Sequence, residues 1–291
     1  MMFKGIIPAM VTPLDHNQDV NNQAVPELVN KLIDADVAGL FILGTNGEFH
    51  LLDYKEKIAF TKYVVNEVNK DIPVIAGVGG NSTKEVIQLS KDVEEIGVDA
   101  LSVITPYFVV PNQTEMIEHY KTIAKETSLP VMLYNIPSKT GTNLHKETVA
   151  ELAQVPNIVG IKDSSGNLDN IKGYIEATLD QEFNVICGTD SLILDALEAG
   201  ASGAVAATAN IVPGIVNSIY KNLEEGSFDK AREQQSKLSE LRETFQLGTI
   251  PSVLKKLMEL AGTPVGPPRL PVKEVSGDTI NELKEILKIY L

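Results

Sequence analysis

The sequence predicts an α/β protein in which eight strand and helix units close into a TIM (β/α)8 barrel, with a C-terminal helical extension. Eight short apolar runs, bounded by Gly, Pro or Asp, have the length and β-branched content of strands. Amphipathic segments with helical spacing lie between these runs. Because the runs are apolar almost throughout, they indicate parallel strands that are covered on both faces.

The predicted strands follow one another at intervals of one strand and helix unit. They cover residues 5–12, 39–44, 73–79, 100–105, 130–136, 158–163, 183–188 and 203–209. Capping residues mark the starts of the helices between them, such as Asp53 in DYKEKIAF and Ser82 in STKEVIQL. The alternation of strands and helices therefore continues through eight units.

The chain continues beyond the eighth unit with helical segments near 227–247, 250–261 and 278–290, and a Gly- and Pro-rich link at 262–271. We therefore divide it into a barrel, 1–225, and a C-terminal helical extension, 226–291, that packs on the barrel. A doubly wound sheet is the alternative fold. That fold needs a Gly-rich turn after its first strand, where this chain has MVTPLDHNQD instead.

Composition limits the classes of function. Lys and Arg number 25 and Asp and Glu 39, and the net charge of −14 argues against nucleic acid or an anionic membrane as the main partner. No apolar run approaches the roughly 20 residues of a membrane helix. The single cysteine, Cys187, cannot form an internal disulfide, and the N-terminus lacks the pattern of a secretory signal. We therefore expect a soluble, cytoplasmic protein.

Catalytic residues of a TIM barrel lie at the C-terminal ends of its strands. Polar residues occur at five predicted strand ends, namely at 44–48, 105–108, 134–135, 162–163 and 188–190. The four histidines fall in turns or on helices, which argues against a metal site; they are His16, His50, His119 and His145. Lysine and tyrosine are therefore the leading candidates for catalysis.

Lys162 ends the sixth predicted strand, IVGIKD. Desolvation disfavours the ammonium form of a buried lysine, and the free amine attacks a ketone to form a protonated Schiff base that activates adjacent bonds. Tyr134 ends the neighbouring strand, where its hydroxyl can exchange a proton with the amine. A lysine that extends to solvent and an ordinary core tyrosine are the alternatives, and these residues alone do not decide between them.

Four motifs together resemble the dihydrodipicolinate synthase and N-acetylneuraminate lyase family over essentially the whole chain. These motifs are GTNGE at 44–48, YNIP at 134–137, GIKDSSGN at 160–167 and GAVAATAN at 203–210. The resemblance implies a pyruvate-dependent class I aldolase, usually a homotetramer built as a dimer of dimers. It also implies that no metal or organic cofactor is needed, because the substrate is bound covalently to a lysine.

The resemblance assigns roles to particular residues. It implies that Lys162 forms the Schiff base, that Tyr134 carries the proton, and that Thr45 assists and holds the pyruvate carboxylate with the following backbone amide. The other substrate-binding residues that it implies are Asn46, Gly47, Tyr107, Phe108, Lys139, Gly188 and Val205.

Three positions depart from the pattern of the synthases. Asn46 replaces the second of two adjacent threonines. Phe108 stands where the synthases have a tyrosine that reaches across a subunit interface into a proton relay, a role that its neighbour Tyr107 is the candidate to take over. Lys139 replaces the arginine that grips the carboxylate of aspartate semialdehyde, and lysine lacks the bidentate fork of arginine.

These departures, and the segment TNGEF, are similar to aldolases that cleave 4-hydroxy-2-oxoglutarate or 2-keto-3-deoxy sugar acids. We therefore expect an enzyme that reversibly cleaves such a 2-oxo acid to pyruvate and an aldehyde. A 4-hydroxy-tetrahydrodipicolinate synthase, which condenses pyruvate with aspartate semialdehyde, is the alternative within the family. A catalytically silent barrel that binds a small acid and a metal-dependent aldolase are alternatives of other classes.

Overall fold

The computed structural model describes residues 3–290 and contains the predicted barrel. Its eight parallel strands are β1 Gly5–Pro8, β2 Leu40–Ile42, β3 Val74–Gly77, β4 Ala100–Ile104, β5 Val131–Asn135, β6 Ile158–Asp163, β7 Asn184–Cys187 and β8 Gly203–Ala206. Each lies within its predicted range. Most are shorter than predicted, because the ranges included apolar residues that turn away at the ends of the strands.

The strands pair in the order β1, β8, β7, β6, β5, β4, β3 and β2. Ala9, just beyond β1, forms a parallel bridge with Phe41 in β2. This bridge brings the two edges of the sheet together. The sheet is therefore a nearly closed TIM barrel. Nearly every strand residue is buried, as expected for parallel strands with helices outside and side chains filling the interior.

Helices occupy the segments between the strands and beyond β8. They are α1 Val25–Asp34, α2 Tyr54–Val68, α3 Thr83–Ile96, α4 Gln113–Lys125, α5 Pro137–Thr140, α6 Lys146–Leu152, α7 Leu168–Ala177, α8 Ile193–Glu198, α9 Pro213–Glu224, α10 Phe228–Glu243, α11 Ser252–Leu260 and α12 Asp278–Leu287. Both predicted caps are present, since the side chains of Asp53 and Ser82 accept hydrogen bonds from the third residues of α2 and α3. None of the helices within residues 3–290 is long and apolar enough to cross a membrane.

The three helices α10, α11 and α12 fall in the segments predicted for the C-terminal extension. Helix α10 packs along α9, the last helix of the barrel units. It buries Ala231, Leu238 and Leu241 completely. The extension therefore lies directly against the barrel, while its status as a separate domain stays a prediction.

Closure of the barrel depends on the close approach of β1 and β8. A Cβ atom on Gly203 would lie 2.3 Å from the carbonyl oxygen of Gly5. We expect Gly203→Ala to lower the free energy of unfolding by about 1–3 kcal/mol, because overpacking forces the two strands apart. Gly214→Ala is the control, since a Cβ there meets no atom within 4 Å. Equal midpoints of urea unfolding for the two variants would contradict this prediction.

Candidate active site

Lys162 is buried inside the barrel, with 4% of its side chain exposed. Its Nζ lies 3.8 Å from the centre of the Tyr134 ring and 4.8 Å from the centre of the Phe41 ring. The lysine therefore does not extend into bulk solvent, which was the ordinary alternative. An amine enclosed by aromatic rings is shielded from water, the environment that favours a nucleophilic lysine.

The strand register places Tyr134 beside Lys162. The two residues are direct partners in the parallel pairing of β5 and β6, so their side chains enter the barrel at the same level. The Tyr134 hydroxyl lies 3.2 Å from Oγ1 of Thr45, within hydrogen-bond distance. Amine, phenol and threonine hydroxyl thus converge at the carboxyl ends of three strands.

The residues that follow Tyr134 and Lys162 point to the opposite side of the sheet, toward the helices. Asn135 donates a hydrogen bond to the Asp163 carboxylate at 2.7 Å, and Asn170 on α7 donates to the same oxygen at 2.9 Å. Burial raises the pKa of Asp163, and the hydrogen bonds from Ser165, Asn135 and Asn170 oppose that rise. This outer network fixes the ends of β5 and β6, and so holds the two inward side chains in register.

The loop at 44–48 lies beside the site, since Thr45 and Asn46 line the same cavity as Lys162. The N–H groups of Thr45 and Asn46 donate to no acceptor within residues 3–290. The Thr12 hydroxyl donates to the carbonyl of Gly47 at 2.7 Å, and a Cβ on Gly47 would lie 3.2 Å from the carbonyl oxygen of Met10. The loop is therefore held closely against the chain after β1, with two amides free to receive a carboxylate.

A buried ion pair ties this loop to the C-terminal extension. Lys255 Nζ on α11 lies 2.6 Å from Oε1 of Glu48, and the two side chains are 1% and 0% exposed. Lys255 also donates to the carbonyl of Pro267 at 2.9 Å, while the backbone N–H of Arg269 donates to Glu48 Oε2 at 2.7 Å. Burial lowers the pKa of Lys255, and the Glu48 carboxylate opposes this shift. Sequence analysis missed this pair, because only the fold brings the two segments together.

A cavity of about 230 Å³ opens beside Lys162 at the carboxyl ends of the strands. Seven of the residues predicted for the site line it, namely Lys162, Tyr134, Thr45, Asn46, Lys139, Gly188 and Val205. A Cβ on Gly188 would lie 2.9 Å from Cε of Lys162, so glycine leaves room for the lysine. Sequence analysis did not assign a role to further lining residues, among them Ser164, Asp190, Arg242, Phe245 and Ile250.

Three predicted residues lie elsewhere. Gly47 is buried in its loop and does not line the cavity. Tyr107 lines a neighbouring cavity of about 200 Å³, which shares Thr45 and Lys139 with the first. Phe108 is 93% exposed and lines neither cavity of this chain. The roles of Tyr107 and Phe108 in substrate binding stay predictions.

The sequence profile of the Dihydrodipicolinate synthetase family matches residues 2–290. The chain belongs to this family. The family predicted from the four motifs is thereby confirmed, and the protein is an enzyme of the pyruvate-dependent class I aldolase kind, whose members act on pyruvate and an aldehyde. Within the family, assignment to the sugar-acid branch rests on motifs alone.

Relatives named as synthases match this family member over almost their whole length. The 4-hydroxy-tetrahydrodipicolinate synthase of Archaeoglobus fulgidus is 40% identical over 287 residues, which are 99% of this chain and 98% of that protein. The enzyme of the same name from Oceanobacillus iheyensis is 38% identical over 290 residues, covering 100% of this chain and 98% of that protein.

Solved structures of the same family share the fold. A dihydrodipicolinate synthase from Bacillus anthracis has a TM-score of 0.95 at 35% identity and covers 98% of both chains. A prophage protein of the family from E. coli K12, solved in complex with pyruvate, has a TM-score of 0.95 at 31% identity, covering 99% of this chain and 98% of that chain.

No group of three or more His, Cys, Asp or Glu side chains within residues 3–290 is arranged to hold a metal ion. The expectation that this family member needs neither metal nor organic cofactor stays a prediction. Cys187 is buried at the end of β7, and burial raises the pKa of its thiol to about 12.

The buried pair of Glu48 and Lys255 yields a prediction for stability and for the site. Lys255→Met leaves the Glu48 carboxylate buried without its cation, which costs about 3–5 kcal/mol of unfolding free energy. We expect the double variant Glu48→Gln, Lys255→Met to recover much of this loss, as measured by urea unfolding. Covalent trapping of pyruvate should weaken in the single variant and improve again in the double variant, because the 44–48 loop regains its position.

The neighbouring Lys256 provides a matched control. Its ammonium pairs with Glu259 and Glu274 near the surface. Lys256→Met should therefore cost at most about 1 kcal/mol. Equal losses in Lys255→Met and Lys256→Met would show that the buried pair does not hold the loop.

Proposed function

We propose that this enzyme condenses pyruvate with an aldehyde through a Schiff base on Lys162. The observation that carries the proposal is the enclosed amine of Lys162 over the ring of Tyr134, whose hydroxyl lies 3.2 Å from Oγ1 of Thr45. One small cavity is thus lined by Lys162 as nucleophile, Tyr134 as proton carrier and Thr45, whose hydroxyl orients that carrier.

The first stage joins pyruvate to the enzyme. The Lys162 amine attacks C2 of pyruvate, a C–N bond forms, and the ketone oxygen takes up a proton to give a carbinolamine. Loss of water then yields a protonated imine. Tyr134 delivers and receives these protons, with Thr45 as its hydrogen-bond partner, while the Thr45 and Asn46 amides hold the pyruvate carboxylate.

The second stage forms the new C–C bond. A proton leaves C3, the electron pair of the broken C3–H bond forms a C2=C3 double bond, and the C=N π pair moves to the imine nitrogen, which gives an enamine. The enamine carbon attacks the aldehyde carbon, and the aldehyde oxygen takes a proton. Water then hydrolyses the imine, releasing the product and the Lys162 amine. The same steps in reverse cleave a 2-oxo acid. Holding both partners in position lowers the activation free energy by up to roughly 7–11 kcal/mol.

Aspartate semialdehyde is the first candidate for the aldehyde. The relatives from A. fulgidus and O. iheyensis bear the name 4-hydroxy-tetrahydrodipicolinate synthase and match the chain almost from end to end. This support outweighs the TNGEF motif, from which we expected cleavage of a 2-keto-3-deoxy sugar acid or 4-hydroxy-2-oxoglutarate. That cleavage remains the second candidate, since Asn46, Phe108 and Lys139 depart from the synthase pattern.

A homotetramer is proposed as well. The segment around Phe108 exposes three successive apolar side chains, Phe108, Val109 and Val110, at 93%, 76% and 46%. An exposed apolar segment beside the site is typical of a surface covered by another subunit. This agrees with the family pattern, in which the residue at position 108 reaches across an interface.

Trapping experiments test the Schiff base directly. Incubation with pyruvate and borohydride should add the mass of one reduced adduct, located at Lys162 by peptide mass spectrometry. Lys162→Ala should give no adduct, whereas Tyr134→Phe should keep some adduct and lose about 10²- to 10⁴-fold in turnover. The exposed Lys172 on α7 provides the control variant Lys172→Ala, which should behave as wild type. A wild-type protein without added mass would overturn the proposal.

Comparison of substrates tests the choice of aldehyde. We expect kcat/KM for pyruvate with aspartate semialdehyde to exceed that for release of pyruvate from 4-hydroxy-2-oxoglutarate, 2-keto-3-deoxy sugar acids and N-acetylneuraminate. A higher value for a sugar acid would favour the second candidate. An adduct without turnover on any of these compounds would indicate a small-acid-binding barrel, and loss of activity with a chelator would indicate a metal-dependent aldolase.

A further inference from the structure

The ring of Phe41 forms one wall around the amine of Lys162. Phe41 is 1% exposed, and the Lys162 Nζ lies over its ring, 4.8 Å from the centre. The same nitrogen lies over the Tyr134 ring, 3.8 Å from the centre. The two rings are inclined at 88° with their centres 6.1 Å apart. One nitrogen therefore faces two aromatic surfaces that are nearly perpendicular to each other.

The barrel fixes the position of the Phe41 ring. Phe41 lies in β2, and its carbonyl accepts a hydrogen bond from the N–H of Met10 at 2.9 Å, where the two edges of the sheet meet. A Cβ on Gly44 would lie 2.6 Å from Cε1 of Phe41, so glycine at that position leaves room for the ring. The ring is therefore held between a strand and the loop that follows it.

Lys162 has no carboxylate partner. Within residues 3–290, two lysines are almost fully buried, Lys162 and Lys255. Lys255 pairs with the Glu48 carboxylate, whereas Lys162 takes part in no salt bridge there. The Asp163 carboxylate, one residue further along β6, belongs to the outer network and accepts a hydrogen bond from Asn135 at 2.7 Å. The residue next to the amine in sequence is thus directed away from it.

The carboxylate that lines the cavity is also engaged elsewhere. Asp190 accepts hydrogen bonds from the N–H of Ala207 at 3.1 Å, and from the N–H and hydroxyl of Thr208 at 2.7 and 2.5 Å. These three donors hold the carboxylate against the end of β8. A positive charge on the Lys162 nitrogen is therefore surrounded by ring surfaces and not by an anion.

The proposed reaction places such a charge on this nitrogen. In the carbinolamine the nitrogen is neutral. When the hydroxyl group takes up a proton and leaves as water, the nitrogen lone pair forms the C=N double bond and the nitrogen becomes positive. The face of an aromatic ring is negative, and it attracts a cation that lies within about 6 Å of the ring centre. Both rings are within that distance of the Lys162 nitrogen.

We propose that the ring face of Phe41, together with that of Tyr134, stabilises the protonated imine relative to the neutral carbinolamine. The inference rests on the proposed Schiff-base function and deepens it, because it adds Phe41 to the groups that act on the reacting nitrogen. A ring face has no lone pair that could take the imine proton, as a carboxylate could. The nitrogen therefore keeps the charge that draws electrons from C3.

Carbon-13 NMR with saturating [2-13C]pyruvate measures this step, because the trigonal imine carbon and the tetrahedral carbinolamine carbon give separate signals. Fluorine withdraws negative charge from a ring face, so Phe41 is replaced in turn by 4-fluoro-, 3,5-difluoro- and pentafluorophenylalanine. We expect the ratio of imine to carbinolamine to fall along this series, by about 2- to 30-fold overall, the range for a cation over an aromatic ring. Phe41→Leu, which removes the ring, should give a ratio at the low end of the series.

Phe60 on α2 provides the matched control. It is 0% exposed and lines neither the cavity beside Lys162 nor the one beside Tyr107. The same fluorinated residues at position 60, and Phe60→Leu, should leave the ratio of imine to carbinolamine at its wild-type value, even where they lower the free energy of unfolding.

Three results would overturn the inference. These are a constant ratio throughout the fluorinated Phe41 series, a fall in Phe41→Leu alone, which would reveal a packing role, and an equal fall in the Phe60 series. A wild-type protein that gives neither covalent signal with pyruvate is a different result, because it removes the proposed function itself.

Discussion

Desolvation of one amine is the constraint on which the structure of this enzyme depends. Lys162 is 4% exposed, and its Nζ lies against the rings of Tyr134 and Phe41. The rings and the surrounding strands exclude bulk water from this amine. The barrel keeps this amine buried because apolar side chains from its strands fill the interior. Space for a ligand remains only at the carboxyl ends of the strands.

The strand register links Tyr134 and Lys162 to a hydrogen-bond network on the outer face of the sheet. Tyr134 pairs with Lys162 inside the barrel, and Asn135 pairs with Asp163 one residue later, outside it. Side chains alternate across a strand, so the outer hydrogen bonds cannot shift without moving the inner pair. Hydrogen bonds to a charged group contribute about 1.5–3 kcal/mol each, which is enough to hold the amine and phenol in a narrow range of positions.

Local patterns in the sequence predicted much of this arrangement. The eight strands, the caps at Asp53 and Ser82, and the proximity of Tyr134 to Lys162 follow from periodicity and from the rule that strand ends meet at one edge. The partnership of Glu48 with Lys255 could not be predicted, because nothing near either residue encodes a contact with the other. Arg242 was missed for the same reason. The choice of aldehyde likewise could not be predicted, because it depends on pocket shape. The TNGEF motif favours a sugar acid or 4-hydroxy-2-oxoglutarate, whereas the relatives are named as 4-hydroxy-tetrahydrodipicolinate synthases.

The C-terminal extension contributes to the cavity beside Lys162, which Arg242, Phe245 and Ile250 help to line. Lys255 and Arg269 hold the 44–48 loop through Glu48, at the end where pyruvate is proposed to bind. Arg242, in the last turn of α10, also lines the cavity beside Lys162. The strands of the barrel carry Lys162 and Tyr134, the proposed nucleophile and proton carrier. Because Lys162 and Tyr134 lie on strands of the barrel, changes in the extension can alter the choice of aldehyde while the covalent chemistry is retained.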